Sequence, residues 1–252
     1  MEPTERFSDR VGNYLRYRPG YPPGVLDLMQ ERYGLTRSAE VADVGSGTGA
    51  LARLFLENGN RVFGVEPNYE MRRAGERELA QFAGFTSVSG TAERTTLENR
   101  SVDLVTAGQA FHWFRPGATR LEFGRVLRPG GRVLVVWNER RLEGTAFSEA
   151  YERLLRTHGT DYAEVNHGKR AGPEQVRAFF SPVPVESWTF ENEQILDLEG
   201  MKGRLLSSSY VPAEDEPRCA EMLLEAEDVF ESHAQDGTVT MRYDSRVYVG
   251  RL

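Results

Sequence analysis

Val41-Ala42-Asp43-Val44-Gly45-Ser46-Gly47-Thr48-Gly49-Ala50-Leu51 is the stretch whose reading decides the fold. A short apolar run holding one acid breaks into glycines at 45, 47 and 49. Apolar sequence at helical spacing then resumes through Leu51, Leu54, Phe55 and Leu56. That order predicts strand, tight glycine turn and helix, an arrangement in which backbone approaches a nucleotide-like ligand without Cβ interference. Gly45, Gly47 and Ala50 fit the G-x-G-x-x-G/A pattern of a dinucleotide turn, whereas Gly49 and the acid at Asp43 favour a different ligand. A glycine-rich βα turn that binds nothing is the third reading.

Downstream, Asn58-Gly59-Asn60 is a helix C-terminal signal, and Arg61 to Asn68 reads as a short buried strand. It ends in Glu66-Pro67, with the acid 21 residues after Gly45, where it can accept hydrogen bonds from ribose hydroxyls or simply be a solvated strand end. A charged helix with Met71 and Leu79 follows over 68–81, then a strand at 85–88. Gly90-Thr91-Ala92-Glu93 suits an adenine pocket, with Glu93 near the exocyclic amine; equally, Glu93 suits a helix N-terminus. A strand at 101–108 runs into Gln109-Ala110-Phe111-His112-Trp113-Phe114, beyond a strand's carboxyl end, where open α/β sheets bind ligands. His112 there either faces a reacting centre or packs as an ordinary ring. A helix over 116–128, stopped by Pro129-Gly130-Gly131, precedes the most apolar strand, 132–137. Strands alternating with helices predict a doubly wound, mostly parallel sheet.

Upstream, residues 1–37 form an arm and a helix at 24–33, entered through Pro22 and Pro23. The arm either packs on the core or folds over the glycine turn, bringing Tyr14, Tyr17 and Arg18 toward a ligand carboxylate. Beyond the central 38–140 segment, residues 141–252 supply helices and strands. The strands 184–191 and 238–250 are assigned to an antiparallel closing pair, and the helices within 141–180 and 196–234 to a cap. Ser207-Ser208-Ser209-Tyr210 is either a helix end and turn or the lining of a polar acceptor site.

Composition bounds the function. With 252 residues, a formal net charge of -7 and 29 arginines scattered without a run, a nucleic-acid footprint is not expected. No apolar run approaches the roughly 20 residues of a membrane span, and the first residues lack the blocks of a signal peptide, so a soluble cytoplasmic protein is expected. The lone Cys219 excludes an intrachain disulfide. His112, His158, His167 and His233 show no metal-ligand spacing, so no metal is expected.

Taken in order, Asp43-Val44-Gly45-Ser46-Gly47-Thr48-Gly49, Glu66, Ala92-Glu93 and Arg125-Val126-Leu127-Arg128-Pro129-Gly130-Gly131 resemble the class I S-adenosylmethionine-dependent methyltransferases, and specifically the type-11 methyltransferase domain family. The resemblance covers residues 38–140. More loosely, Tyr17-Arg18-Pro19-Gly20-Tyr21-Pro22, Gln109 to Phe114 and Ser207 to Pro212 resemble the trans-aconitate methyltransferase-like branch. The family implies a seven-stranded Rossmann-like sheet with an antiparallel final strand and a helical cap. It implies that Asp43, Gly45, Ser46, Gly47 and Gly49 hold S-adenosylmethionine, the glycines passing beneath its aminocarboxypropyl arm. Glu66 with Pro67 would hold the ribose, Ala92 and Glu93 would border the adenine, and Gln109 would sit by the methionine portion. On the reading of the arm, Tyr14 and Arg18 would join them as cofactor-binding residues. His112, Trp113, Tyr17, Ser209 and Tyr210 would face a small-molecule acceptor, methylated at a carboxylate or hydroxyl oxygen, with S-adenosylhomocysteine as product. A non-catalytic S-adenosylmethionine-binding protein is the alternative. A NAD-dependent oxidoreductase is disfavoured, because no Tyr-x-x-x-Lys is present. A monomer or homodimer is expected.

Overall fold

A computed structural model describes residues 11–160, 162 and 172–252, and shows a seven-stranded sheet flanked by helices. Helices α1 (Val11–Tyr17) and α2 (Gly24–Tyr33) lead into β1 (Glu40–Val44). Then follow α3 (Ala50–Glu57), β2 (Arg61–Val65), α4 (Tyr69–Glu78), β3 (Phe85–Val88), β4 (Val102–Gly108), α5 (Pro116–Val126) and β5 (Leu127–Arg140). The C-terminal part comprises α6 (Ala146–His158), α7 (Pro173–Phe180), β6 (Glu186–Leu196), α8 (Leu198–Leu206), α9 (Pro217–His233) and β7 (Val239–Gly250).

The strand order is β3-β2-β1-β4-β5-β7-β6, with the first five parallel and β7 antiparallel to both β5 and β6. Strand β1 pairs with β2 on one side and β4 on the other, so the winding reverses beside it. At such a reversal the connections leave on opposite faces and open a crevice at the strand's carboxyl end. The expected fold class is the one observed.

Local chemistry explains where the elements begin. Asn68 caps α4 by accepting the Met71 N–H at 2.9 Å. Thr145 caps α6 and Asp197 caps α8 in the same way. Helix α3 is anchored by Leu51, Ala52, Phe55 and Leu56, one buried stripe against the sheet.

Apolar residues gather in three bodies, one on each sheet face and one in the C-terminal helices. Val41, Leu51, Phe55, Val62, Leu104 and Leu134 are on one face, and Val44, Val105, Phe111, Phe123, Val135 and Trp137 on the other. A separate body joins Tyr151, Leu154, Leu155, Met201, Leu205, Met222 and Tyr243 above them.

Two boundaries and one layer assignment differ from the sequence reading. Extended backbone resumes at Leu127, before Pro129 rather than after it. A proline disfavours helical geometry in the residue before it, so Arg128 cannot continue α5. Strand β6 extends to Leu196 because it pairs with the whole length of β7, ending at Leu196 opposite Val239. Helix α7 packs Val176, Phe179 and Phe180 into the sheet-face core beside Phe111 and Phe123, so it belongs to that layer. His167 and its neighbours lie outside the described residues.

Candidate functional site

The glycine turn lies at the carboxyl end of β1, in the crevice the winding creates. Gly45, Gly47 and Gly49 take φ of +69°, +56° and +88°, a region closed to most side chains. A Cβ at Gly45 would stand 2.6 Å from the Ala110 methyl, so the turn and the loop after β4 touch backbone to side chain. The N–H groups of Gly45 and Ser46 both bond the Val65 carbonyl, at 2.8 and 3.2 Å, which ties the turn to the end of β2. Gly49 then opens α3 as its N-cap, with no side chain capping the helix.

Glu66 follows Val65 directly and is 8% exposed. Its Oε2 accepts the Gly47 N–H and its Oε1 the Asn68 N–H, each at 2.8 Å. Burial pushes its carboxyl above the ordinary range, against the two amides and Arg72. Each oxygen has one lone-pair direction left for a hydroxyl donor. Asp43 is the more deeply buried acid. Its Oδ1 accepts the Thr106 hydroxyl at 2.8 Å, and burial pushes its pKa up to about 7 despite that bond and the Ala52 amide.

Ala92 is buried in the sheet-face core. Glu93 accepts the Arg115 N–H at 2.9 Å, at the N-terminus of α5, which is the helix-end role the sequence also allowed. Its neighbour Thr95 is held by Glu122, through backbone N–H at 2.7 Å and hydroxyl at 2.6 Å. Glu122 in turn takes two bonds from Arg125, so α5 fixes the loop that carries Ala92 and Glu93.

Across the turn, Gln109 has φ of +56°, unusual for a side chain of its size, and donates its amide to the Asn138 carbonyl at 3.1 Å. Such outliers persist where surrounding contacts over-determine them, often at ligand sites. His112 and Trp113 sit in a 3-10 turn two residues further on, with ring centroids 4.6 Å apart; Trp113 is 39% exposed.

The arm does reach this edge. Tyr21 lies close over Gly108, at the end of β4, so that a Cβ there would require the phenol to move. Asn138 and Asn192 both donate to the Gly20 carbonyl at 2.9 Å. Tyr17 and Arg18, however, turn toward the cap: Tyr17 bonds Glu199 at 2.9 Å, and Arg18 bonds the Ser207 carbonyl at 2.8 Å. The Tyr14 side chain lies outside the described residues. Ser209 is half-buried and Tyr210 buried, beside Tyr162 at 5.0 Å between rings.

The structure therefore gathers Asp43, Gly45, Ser46, Gly47, Gly49, Glu66 and Pro67 at one turn, with Gln109 and His112 on the adjoining loop. Tyr17, Arg18 and Tyr210 form a separate group under the cap. Sequence reasoning missed Asn138, which joins Gly20, Gln109, Asn192 and Ser245. The one local signal was an amide directly after the apolar strand. It also missed Arg140 and Arg204, whose partners are scattered along the chain.

The glycine cradle and Glu66 fit an adenosyl ligand. Glycines line the turn, and a buried carboxylate with spare acceptor capacity stands beside it. Among the described residues, no group of three His, Cys, Asp or Glu is placed to hold a metal ion, and no helix is long and apolar enough to cross a membrane.

Residues 42–135 match the family model described as a methyltransferase domain. Uncharacterized methyltransferase Rv3342 of Mycobacterium tuberculosis is 40% identical over 134 residues, 53% of this chain and 52% of that protein. Uncharacterized methyltransferase C25B8.09 of Schizosaccharomyces pombe is 30% identical over 135 residues, 53% of each chain. The chain thus spans about half the length of the curated relatives it matches. Among solved structures, one assigned as a type II methyltransferase of Anaeromyxobacter dehalogenans superposes with a TM-score of 0.69 at 23% identity, covering 93% of this chain and 98% of that one. Phosphoethanolamine N-methyltransferase 2 of Haemonchus contortus, solved with phosphomonomethylethanolamine and S-adenosylhomocysteine, superposes at 0.58 and 16% identity, covering 99% and 58%. These likenesses establish the fold, which is that of the methyltransferases on which the chain superposes.

Proposed function

We propose, from the methyltransferase domain that residues 42–135 match, that this chain transfers a methyl group from S-adenosylmethionine to an oxygen of a small-molecule acceptor, a carboxylate or a hydroxyl. The observation that supports the reading is the pairing of the Gly47 N–H with buried Glu66 at 2.8 Å, beside a turn that carries no side chain at positions 45, 47 and 49. S-adenosylmethionine, when bound, would supply a sulfonium methyl for the acceptor oxygen, its carbon–sulfur electron pair remaining with sulfur.

The chain's own work is to position and to exclude water. Glu66 would hold the ribose, the α3 N-terminus the ligand carboxylate, and Gln109 the wall beside the sulfur. A carboxylate acceptor needs no base, because its attack releases no proton. A hydroxyl acceptor must lose one, and His112, on the loop beside the turn, is the proposed base or positioning group. The test is methyl uptake from labelled S-adenosylmethionine across small acids and phenols, with His112→Ala alongside. Loss of phenol methylation with S-adenosylmethionine binding intact supports the assignment. Unchanged turnover removes His112 from it, and absence of any turnover with tight binding favours a non-catalytic binding protein.

A further inference from the structure

Glu66 is held by a cation on the helix that follows it. Arg72, the fourth residue of α4, donates from Nη1 to the Glu66 backbone carbonyl at 3.0 Å. Its guanidinium carbon also lies 5.5 Å from the centre of the Tyr69 ring, three residues back along the same helix. The Arg72 N–H bonds the Asn68 carbonyl at 3.0 Å, and the Asn68 side chain takes the Met71 N–H, so the first turn of α4 is closed against the end of β2. Arg72 is half-buried, whereas its neighbour Arg73 is exposed and pairs with Glu76 at 2.7 Å.

Glu66 is therefore fixed at three points. The Gly47 and Asn68 amides fix its two carboxylate oxygens, and Arg72 fixes the backbone from which the side chain extends. Charge works in the same direction. Burial acts to protonate Glu66, and the two amides and Arg72 oppose it. The other acid of the turn, Asp43 on β1, is buried as well and repels Glu66. Among the described residues, Arg72 is the cation that acts on Glu66. Its charge matters for binding, because a protonated carboxyl turns one acceptor oxygen into a donor.

We propose that Arg72 is a positioning residue of the cofactor site: through the Glu66 carbonyl and its own charge, it holds the Glu66 carboxylate beside the glycine turn as an acceptor for the ribose hydroxyls. The inference rests on the methyl-transfer reading for the identity of the ligand, and the hold of Arg72 on Glu66 does not depend on it. Arginine suits both tasks, since one planar guanidinium bonds the carbonyl and stacks on the Tyr69 ring. Lysine keeps the charge and loses the stacking. Glutamine keeps a donor and loses the charge.

The test follows the Glu66 carboxyl directly, by carbon-13 NMR of the full chain labelled at glutamate Cδ, with Glu66→Gln assigning the signal. Wild type, Arg72→Gln and Arg72→Lys are compared, with Arg73→Gln as the control. Each is also measured with Asp43→Asn, which takes the Asp43 titration out of the comparison. The Glu66 midpoint should move to higher pH in Arg72→Gln, return most of the way in Arg72→Lys and stay in place in Arg73→Gln. By titration calorimetry, S-adenosylhomocysteine affinity should fall roughly three- to tenfold at about pH 5.5 in Arg72→Gln, and less at about pH 8. In Arg72→Lys it should stay within about twofold of wild type.

A Glu66 midpoint that does not move in a folded Arg72→Gln chain overturns the proposal, as does an Arg72→Lys chain as impaired as Arg72→Gln. A midpoint that moves with no loss of S-adenosylhomocysteine affinity also overturns it, because Arg72 would then act on Glu66 without serving the site. Arg72→Met takes the place of Arg72→Gln, with the same expectations, if the latter fails to fold. If the wild-type chain binds no S-adenosylhomocysteine, the methyl-transfer reading falls, and the NMR midpoints still decide whether Arg72 holds Glu66.

Discussion

Gly47 donates its backbone N–H to Oε2 of Glu66 at 2.8 Å, so the acid directly after β2 holds the middle of the glycine turn. One carboxylate thus shapes the turn and offers its remaining lone pairs to a ligand. Gln at this position would have to choose: its amide nitrogen would face a donor at either Gly47 or Asn68. Glu66→Gln is expected to lower S-adenosylhomocysteine affinity by about 10- to 100-fold by titration calorimetry, with Glu66→Ala at least as severe. Wild-type affinity in both variants would take Glu66 out of the site.

The glycines should not be equivalent. At Gly45 a new Cβ meets the Ala110 methyl, which cannot swing away, and the backbone has φ of +69°. Gly45→Ala is expected to cost about 1–3 kcal/mol in urea denaturation and to weaken cofactor binding. Gly124 lies within α5 with open space where a Cβ would stand. Gly124→Ala is therefore expected to stabilise by about 0.5–1 kcal/mol. A reversed order would mean the turn is not built as described.

Asp43 gives a pH signature. Its carboxyl is held at about 7 by burial, above its unfolded value. A raised acid contributes a destabilisation that is absent below the unfolded pKa, near 4, and complete above the folded one. Relative to Asp43→Asn, the wild-type chain should lose stability as pH rises from about 4 to about 7, by at most about 4 kcal/mol, and change little beyond. Parallel pH profiles for the two proteins would contradict this.

Glu122 should behave in the opposite sense. The Arg125 hydrogen bonds, with those from Thr95 against a smaller effect of burial, hold its carboxyl at about 2. Its contribution is present above about 4.3 and is lost as pH falls toward the folded value. Glu122→Gln should cost about 1–3 kcal/mol at pH 7, and the gap from wild type should narrow below about pH 4. A pH-independent gap would show that packing, not charge, is what the variant removes.

The parts that were legible in the sequence are those set by neighbours in the chain. The alternating glycines and Glu66 at a strand end announce themselves because their roles depend on local backbone. Glu93 was legible only as a choice, and the structure uses it to hold the N-terminus of α5 at Arg115. Arg204 was not legible, since Tyr243, whose hydroxyl it bonds, lies 39 residues away and an arginine between Gly203 and Leu205 looks like helix surface. Its only sequence trace is the spacing of its other partners, Ser207 and Ser208, three and four residues on. Asn138 was hidden for the same reason: Gly20, Asn192 and Ser245 come from separate parts of the chain. Long-range polar pairing leaves no period to read.

The most direct test is isothermal titration of the purified chain with S-adenosylmethionine, S-adenosylhomocysteine and NAD in parallel. Micromolar binding of both adenosyl ligands and none of NAD is the predicted result. Binding of NAD alone, or of none of the three, would contradict the assignment of the glycine turn and Glu66.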